Sequence, residues 1–298
     1  MDLPSIRQLR WTSSVSYNAS TIITYNLSIG CSGLDLPLTF ESDTHFHALP
    51  TFTSIPIIDI MGKVTKDMPS FLPGFDPQRH PHVHAEHYVE IKGSLGRSGT
   101  LESEARILDV VDRKSGVAVI VAINTKDADT GNEICYAEWT SFLIKMPGDG
   151  ASRPSLQNTR SSALLPSRPP DATISHKTTP EQGALYRAAA GEWNPMHIDP
   201  ATARKAGFLG PILSGTCTIG IGVRHVIEAF AAGGSDRFKS VRLRLSKPVF
   251  PGEVVRTEMW KETEGRVLYR QVGEDGRVVI LQAVVRLEDP EKGGRSQL

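Results

Sequence analysis

The stretch of this chain that is most informative about function spans residues 183–222 and reads GALYRAAAGEWNPMHIDPATARKAGFLGPILSGTCTIGIG. It opens as a short apolar helix and continues into a loop that holds Glu192 and His197. Ser214 and Gly215 then open a second helix, predicted over 215–232, whose apolar residues recur at helical spacing. Between these two helices, Asp199 stands before Pro200. This pair predicts a short helix with Asp199 as its N-cap and Pro200 in its first turn.

Outward from this stretch, each half of the chain shows a helical pattern and several strand-like runs. In the first half a helix is predicted over 16–30, ending at glycine. The strand-like runs cover 86–95, 99–113, 116–128 and 133–146 before the stretch, and 237–250, 253–262, 265–274 and 277–289 after it. One buried helix and several antiparallel strands in each half predict an α+β architecture with a sheet packed on a helix.

Composition divides the chain and limits its partners. Residues 146–180 are rich in Pro, Ser, Gly and Thr and predict a linker between an N-terminal repeat, 1–145, and a C-terminal repeat, 181–290, with a tail at 291–298. Lys plus Arg and Asp plus Glu both number 33, so no basic field favours nucleic acid. No run is long enough to span a bilayer, and no membrane partner is expected. The three cysteines lie far apart in the sequence and predict free thiols.

Four histidines in RHPHVHAEH, residues 79–87, raise the question of a metal site. No cysteine lies nearby to complete a set of metal ligands. We therefore favour the interpretation that these histidines lie on a strand and bind no metal. Cys217 follows the start of a helix, but its small apolar neighbours indicate packing rather than a reactive thiol. A predicted strand carries alternating basic residues, Arg242, Arg244 and Lys247. These side chains either bind the phosphates of a ligand or form a solvated face of the strand.

Residues 186–220 resemble the motif of the MaoC-like, (R)-specific enoyl-CoA hydratases, the hydratase 2 family. FHALPTFTSIP and HAEHYVEIKGSLGRSGTL resemble its catalytically silent N-terminal repeat, and RFKSVRLRLSKPVFPGEVVRTEMWKE resembles the strand that follows the catalytic helix. The resemblance covers roughly residues 15–288. It implies a double hot-dog fold, with two antiparallel sheets each wrapped on a long central helix.

The resemblance also implies an activity, the interconversion of a trans-2-enoyl thioester and a (3R)-3-hydroxyacyl thioester. No cofactor is expected beyond the CoA that the substrate carries. The implied catalytic residues are Glu192, His197 and Gly215, and the implied substrate-binding residues are Asn194 and Ser214. Lys247 is added because it stands beside a turn where a CoA tail could cross. An acid and an imidazole that share one water can move its protons, and a helix N-terminus can stabilise a developing enolate oxygen.

Three positions depart from the family pattern. Glu192 stands where the family has Asp, Ala190 where it has Ser, and Ser214 where it has His. The longer acid moves the carboxylate by about 1.5 Å, a displacement that is costly in catalysis. We therefore expect a member adapted to a specialised acyl chain, in hydration or dehydration. The apolar segment 46–75, which we expect its prolines to break, is expected to form or cover the acyl pocket.

Two other functions fit the same scaffold. A hot-dog thioesterase would activate water against the carbonyl carbon and release free thiol, whereas a repurposed hot-dog would bind an acyl chain without catalysis. A homodimer is compatible with either. The C-terminal residues Ser296, Gln297 and Leu298 resemble the peroxisomal address and predict an import receptor as partner. An ordinary C-terminus leaves a cytoplasmic protein as the alternative.

Overall fold

The computed structural model describes residues 2–148, 164–232 and 234–288. The tail 291–298, with its three targeting residues, lies outside the described residues, as does much of the predicted linker. Within the described residues, no helix is long and apolar enough to cross a membrane.

Among the described residues, the first half contains four α-helices, a 3₁₀ helix at Pro50–Thr53 and five strands. Its elements are α1 (Leu3–Ile6), β1 (Trp11–Tyr17), α2 (Ala19–Ser28), α3 (Leu36–Thr39), α4 (Ser54–Phe71), β2 (His82–Ile91), β3 (Gly99–Arg113), β4 (Gly116–Asp127) and β5 (Glu133–Ile144). The predicted helix over 16–30 is confirmed as α2, which begins at the side chain of Asn18 in a capping box.

The described part of the second half contains three α-helices and five strands. These are β6 (Ala172–Lys177), α5 (Gln182–Ala190), α6 (Pro200–Lys205), α7 (Gly215–Phe230), β7 (Phe238–Leu245), β8 (Val254–Thr263), β9 (Arg266–Gly273) and β10 (Val278–Leu287). A 3₁₀ turn, Pro195–His197, lies between α5 and α6. The eight predicted strand runs are confirmed as β2–β5 and β7–β10.

All ten strands form one antiparallel sheet in the order β1-β3-β4-β5-β2-β7-β10-β9-β8-β6. The two predicted sheets are therefore continuous, because β2 of the first half pairs with β7 of the second. At this junction Glu86 lies opposite Arg244, and Glu90 lies opposite Ser240. Helix α4 contacts strands of the first half and α7 contacts strands of the second, so each half keeps its own central helix.

Two predictions about the elements were wrong. The segment 46–75 is not broken by its prolines, because α4 runs unbroken with Pro56 in its first turn and Pro69 near its end. Proline is tolerated in the first turn, where the amide has no helical acceptor. The predicted linker 146–180 is too long, because β6 inside it pairs with β8 at the edge of the sheet. This strand belongs to the second repeat.

Candidate active site

A cavity of about 1350 Å³ lies between the two halves, beside the junction of the sheet. The first half supplies residues of α4, including Ile58 and Met61, and histidines of β2. The second half supplies the loop 191–197, the start of α7 and residues of β7. Because α4 lines this cavity, the expectation that segment 46–75 contributes to the pocket wall is met by a helix.

Arg187, in the last turn of α5, holds the loop that carries the predicted acid. The helix ends at Gly191, whose φ of 65° is the left-handed conformation that glycine adopts without strain. The guanidinium of Arg187 donates to the carbonyl of Glu192 (2.9 Å) and to that of Asn194 (3.1 Å). It also lies 4.9 Å from the ring centre of Trp193. The backbone around the acid is thus fixed from outside the cavity.

Glu192 lines the cavity, and polar contacts orient its carboxylate. One oxygen accepts from the backbone N–H of Asn194 (3.2 Å), and the other lies 3.4 Å from the Ser214 hydroxyl. Asn194 caps the 3₁₀ turn, since its side-chain oxygen accepts from the N–H of Met196 (3.1 Å). The observed contact of Asn194 is therefore with the loop, and its role in substrate binding stays a prediction.

His197 lines the same cavity and is only 7% exposed. Its Nδ1 lies 2.8 Å from the carbonyl oxygen of Ile212. A carbonyl only accepts, so Nδ1 is a donor in this contact, and in the neutral form of the ring Nε2 is the nitrogen that keeps a lone pair. The sequence predicted both Glu192 and His197 at one site, and the structure brings them to one cavity.

Helix α7 begins at Gly215, as predicted, with Ser214 at the N-cap position. The Ser214 side chain makes no capping bond, and its hydroxyl lies 2.9 Å from Thr216 Oγ1. A Cβ at Gly215 would lie 2.8 Å from Leu245 Cδ1, closer than packed carbons approach. A side chain at position 215 would therefore have to displace the end of the Leu245 side chain. At this helix start, free amide groups and the helix dipole favour negative charge.

The basic residues near the cavity differ in what they contact. Arg242 is paired with the buried Glu138 (3.1 Å) and lies over the ring of Tyr88 (4.0 Å), so it does not belong to a solvated face. Lys247 and Arg244 are exposed at the cavity wall. Arg113 and Lys114, at the β3–β4 turn, line the cavity from the first half. These two were missed because nothing in the sequence brings that turn near the C-terminal repeat.

The histidine-rich segment contributes His82 and His84 to the cavity. Burial lowers the pKa of His82, and the negative charge of Glu192 acts in the opposite direction. The His84 ring stacks on Trp139 with 3.4 Å between ring centres. Among the described residues, no group of three or more His, Cys, Asp or Glu side chains is arranged to hold a metal ion. Sequence spacing placed these imidazoles on a strand, but their position beside α7 depends on the β2–β7 pairing.

Cys217 lies on α7 and is completely buried. Burial raises the pKa of its thiol, in contrast to the lowering that a reactive cysteine requires. Cys31 and Cys135 are also buried and unpaired, and burial raises the pKa of each to about 12. The three cysteines are therefore free thiols, as predicted.

Two family models match the chain in succession. Residues 15–145 match the MFE-2 hydratase 2 N-terminal domain, and residues 161–282 match the MaoC-like domain. The first match ends at residue 145, and the second begins at residue 161, inside the predicted linker, and includes β6.

Known proteins resemble the chain over nearly its whole length. The mouse peroxisomal multifunctional enzyme type 2 is 37% identical over 95% of this chain, which spans 39% of that protein. A probable enoyl-CoA hydratase 2 from Dictyostelium discoideum is 31% identical, with 94% of each chain covered. The crystal structure of a MaoC-like dehydratase from Phytophthora capsici superposes with a TM-score of 0.87 at 28% identity, covering 98% of this chain and 99% of that one.

The chain thus spans less than half the length of the multifunctional enzymes it matches, yet nearly the full length of the Dictyostelium relative. A further structural neighbour is described as a double hot-dog, which agrees with the two repeats seen here. The two domains, their order and the relatives establish that the chain belongs to the MaoC-like hydratase 2 family.

Proposed function

We propose that the protein catalyses the reversible addition of water to a trans-2-enoyl thioester, giving a (3R)-3-hydroxyacyl thioester. The observation that carries the proposal is the placement of Glu192, His197 and Gly215 around one cavity at the start of α7. The D. discoideum relative named a probable enoyl-CoA hydratase 2 supports the same reaction class.

The protonation of His197 supports a division of roles. Its Nδ1 proton is engaged by the carbonyl of Ile212, so Nε2 can accept a proton from water. The hydroxyl oxygen then bonds to Cβ, while a proton held by Glu192 is delivered to Cα and the double bond is consumed. The thioester oxygen gains negative charge during this step, and the N–H of Gly215 is suited to stabilising it. Dehydration follows the same path in reverse.

The direct test is hydration of crotonyl-CoA and longer trans-2-enoyl-CoAs, followed by the loss of enoyl absorbance and by chiral analysis of the product. The proposal expects the 3R product and no free thiol. Release of thiol without hydration would instead indicate a thioesterase, and binding without turnover would indicate a repurposed hot-dog.

A pair of glycines on the same segment provides a matched control for the role of Gly215. The G215A change is expected to lower activity, because the new methyl group displaces the end of the Leu245 side chain and crowds the site. In G210A the new methyl group has no neighbour within 4 Å, and the parent rate is expected. Equal activity of the two variants would contradict the assignment of Gly215.

We infer that the thioester is carried by CoA. Support comes from the positive charges of Arg113, Lys114, Arg244 and Lys247 along the cavity wall, which suit phosphates. Replacing Lys247 with alanine is expected to raise KM for crotonyl-CoA and to leave KM for the N-acetylcysteamine thioester unchanged. An equal effect on both substrates would separate Lys247 from CoA binding.

We also propose that the protein acts in peroxisomes. The names of the mouse and Arabidopsis thaliana relatives support this compartment, as does the resemblance of Ser296, Gln297 and Leu298 to a targeting signal. A fluorescent protein fused to the N-terminus should localise to peroxisomes, and deletion of the last three residues should disperse it. Unchanged localisation after the deletion would rule out this signal.

A further inference from the structure

His84 is a half-buried side chain in the cavity wall that the proposed mechanism does not use. Neither of its ring nitrogens makes a well-formed hydrogen bond within the described part of the chain, although the backbone of Glu86 lies close enough to affect the pKa of the ring, and both nitrogens are shielded from solvent. Its ring lies flat on Trp139, with an angle of 4° between the planes. A buried polar group without a partner is destabilising, so its presence in a cavity wall points to a ligand.

A β-bulge sets the direction of this side chain. In the β2–β5 pairing, His84 lies opposite Ser141 and Glu86 lies opposite Thr140, so Ala85 is the extra residue. Bulges commonly redirect side chains beside active sites. Here His84 Nδ1 lies 3.4 Å from the position that a Cβ on Gly215 would occupy. The imidazole therefore abuts the first residue of α7, where the thioester oxygen is proposed to bind.

His84 is suited to act as a neutral donor. Burial lowers its pKa well below the usual value, and the neighbouring His87 lowers it further, whereas the backbone of Glu86 acts in the opposite direction. A neutral imidazole retains one N–H. A neutral histidine with a depressed pKa can polarise a substrate carbonyl, and triosephosphate isomerase is a known instance.

We propose that the ring N–H of His84 donates a hydrogen bond to the thioester oxygen, beside the bond from the backbone N–H of Gly215. The two donors together would form the oxyanion site, one from each repeat. The N-terminal repeat would then contribute a catalytic residue, although the family resemblance describes it as silent. This inference rests on the proposed function.

The test compares H84F with H84N. Phenylalanine keeps a ring on Trp139 and removes both nitrogens, while asparagine keeps an N–H near the position of Nδ1. We expect H84F to lower kcat by ~10²-fold or more with little change in KM, as loss of one oxyanion donor does. H84N is expected to recover at least about tenfold of that loss. The melting temperature of H84F should be no lower than that of the parent.

A matched control and a second readout separate catalysis from folding. H87F makes the same change on a neighbouring ring that does not line the cavity, and it should keep the parent kcat. The second readout uses acetoacetyl-CoA, whose enolate absorbs in the near ultraviolet. The bound parent and H84N should strengthen this enolate band, and H84F should not. If H84F does not fold, H84L replaces it, because leucine has the shape of asparagine.

The outcomes distinguish this inference from the proposed function. A parent kcat in H84F, equal losses in H84F and H84N, or an unchanged enolate band in H84F would each overturn the role of His84. A parent that hydrates no enoyl-CoA would overturn the proposed function. In that case, an enolate band that still depends on His84 would leave the inference standing.

Discussion

At the scale of single residues, the tautomer of His197 has a measurable consequence. Its Nδ1 bond to the carbonyl of Ile212 leaves Nε2 as the only basic atom of the ring. Replacing His197 with alanine should lower kcat by ~10²–10⁴-fold, the usual contribution of a positioned base. Steady-state hydration of crotonyl-CoA measures this change.

The control for this prediction is H45A. His45 is exposed, its backbone makes hydrogen bonds with the side chains of Asp43 and His47, and it does not line the cavity. Its replacement should leave kcat unchanged. A normal rate in H197A would refute the assignment of the base.

Glu192 gives a second residue-scale prediction, because its side chain is longer than the family's aspartate. Its carboxylate reaches Ser214, which replaces the family's histidine, at 3.4 Å. Shortening the acid in E192D should break this contact, displace the carboxylate by about 1.5 Å and lower kcat by ~10²-fold. Measurement of kcat in E192D and S214A checks it, with a smaller loss expected in S214A. An E192D variant as active as the parent would show that the site tolerates either acid.

The residues of one loop could be predicted from sequence, and those from distant parts of the chain could not. Glu192 and His197 lie within one short segment, so their spacing limits how far apart they can be. His84 is separated from Gly215 by the rest of the first repeat, the linker and the start of the second repeat, and its contact depends on a bulge and a strand pairing. The spacing of the histidines on β2 was visible in the sequence. It suggested a possible metal site and gave no sign that His84 could donate a hydrogen bond to a substrate.

At the scale of elements, strand β2 and helix α7 carry histidines that fold in the neutral form. Burial and the charge of Arg242 lower the pKa of His87 to about 4. Burial, Arg224 and His176 lower the pKa of His225 to about 3. In the unfolded chain both rings titrate near ~6.5. Between these values the unfolded state binds protons that the folded state does not.

The free energy of unfolding should therefore fall as the pH drops below ~6.5, by up to ~1.4 kcal/mol per pH unit for each such histidine. The contribution of His87 to the free energy of unfolding is fully present above pH ~6.5 and is lost as the pH approaches about 4. Urea denaturation at several pH values between 7.5 and 4.5 measures the slope. H87F should flatten it, and an unchanged slope would show that His87 does not titrate in this way.

Element boundaries were predicted well where pattern and turn chemistry agree. The run 99–113 alternates and is β3, and the capping box at Asn18 marks the start of α2. Helix α4 was missed because its prolines stand near its ends, where they cost little. Strand β6 was missed because it is a short edge strand next to a stretch rich in proline and serine. The composition of that stretch indicated a linker, and the short alternating pattern of β6 was not recognised.

At the scale of the whole molecule, one buried ion pair spans the joint between the repeats. Arg242 of β7 pairs with Glu138 of β5, which is 3% exposed, whereas Arg242 is 30% exposed. R242M keeps the packing of the aliphatic stem but removes the charge beside a buried carboxylate. Because one partner is partly solvated, the expected loss is ~1–3 kcal/mol, between the values for exposed and buried pairs.

Chemical denaturation of R242M measures this loss, with K126M as the comparison. Lys126 pairs with Glu102 at 3.1 Å, and both side chains are about half exposed. Its loss should be at most ~1 kcal/mol. Equal losses of stability in the two variants would indicate that the Arg242–Glu138 pair contributes no more than an exposed ion pair.

The repeats were visible in the sequence, whereas the single sheet was not, because strand pairing across the joint leaves no periodic signal.

The stacking of Arg187 on Trp193 has one more consequence. Trp193 is 68% exposed, whereas Trp260 is 3% exposed, so a small aqueous quencher reaches the first indole far more readily. Because Trp193 adjoins Glu192 and its ring lies under the cation that holds the loop, its emission should respond when an acyl chain enters. The protein thus carries a built-in fluorophore for following ligand entry by stopped-flow, without any added label.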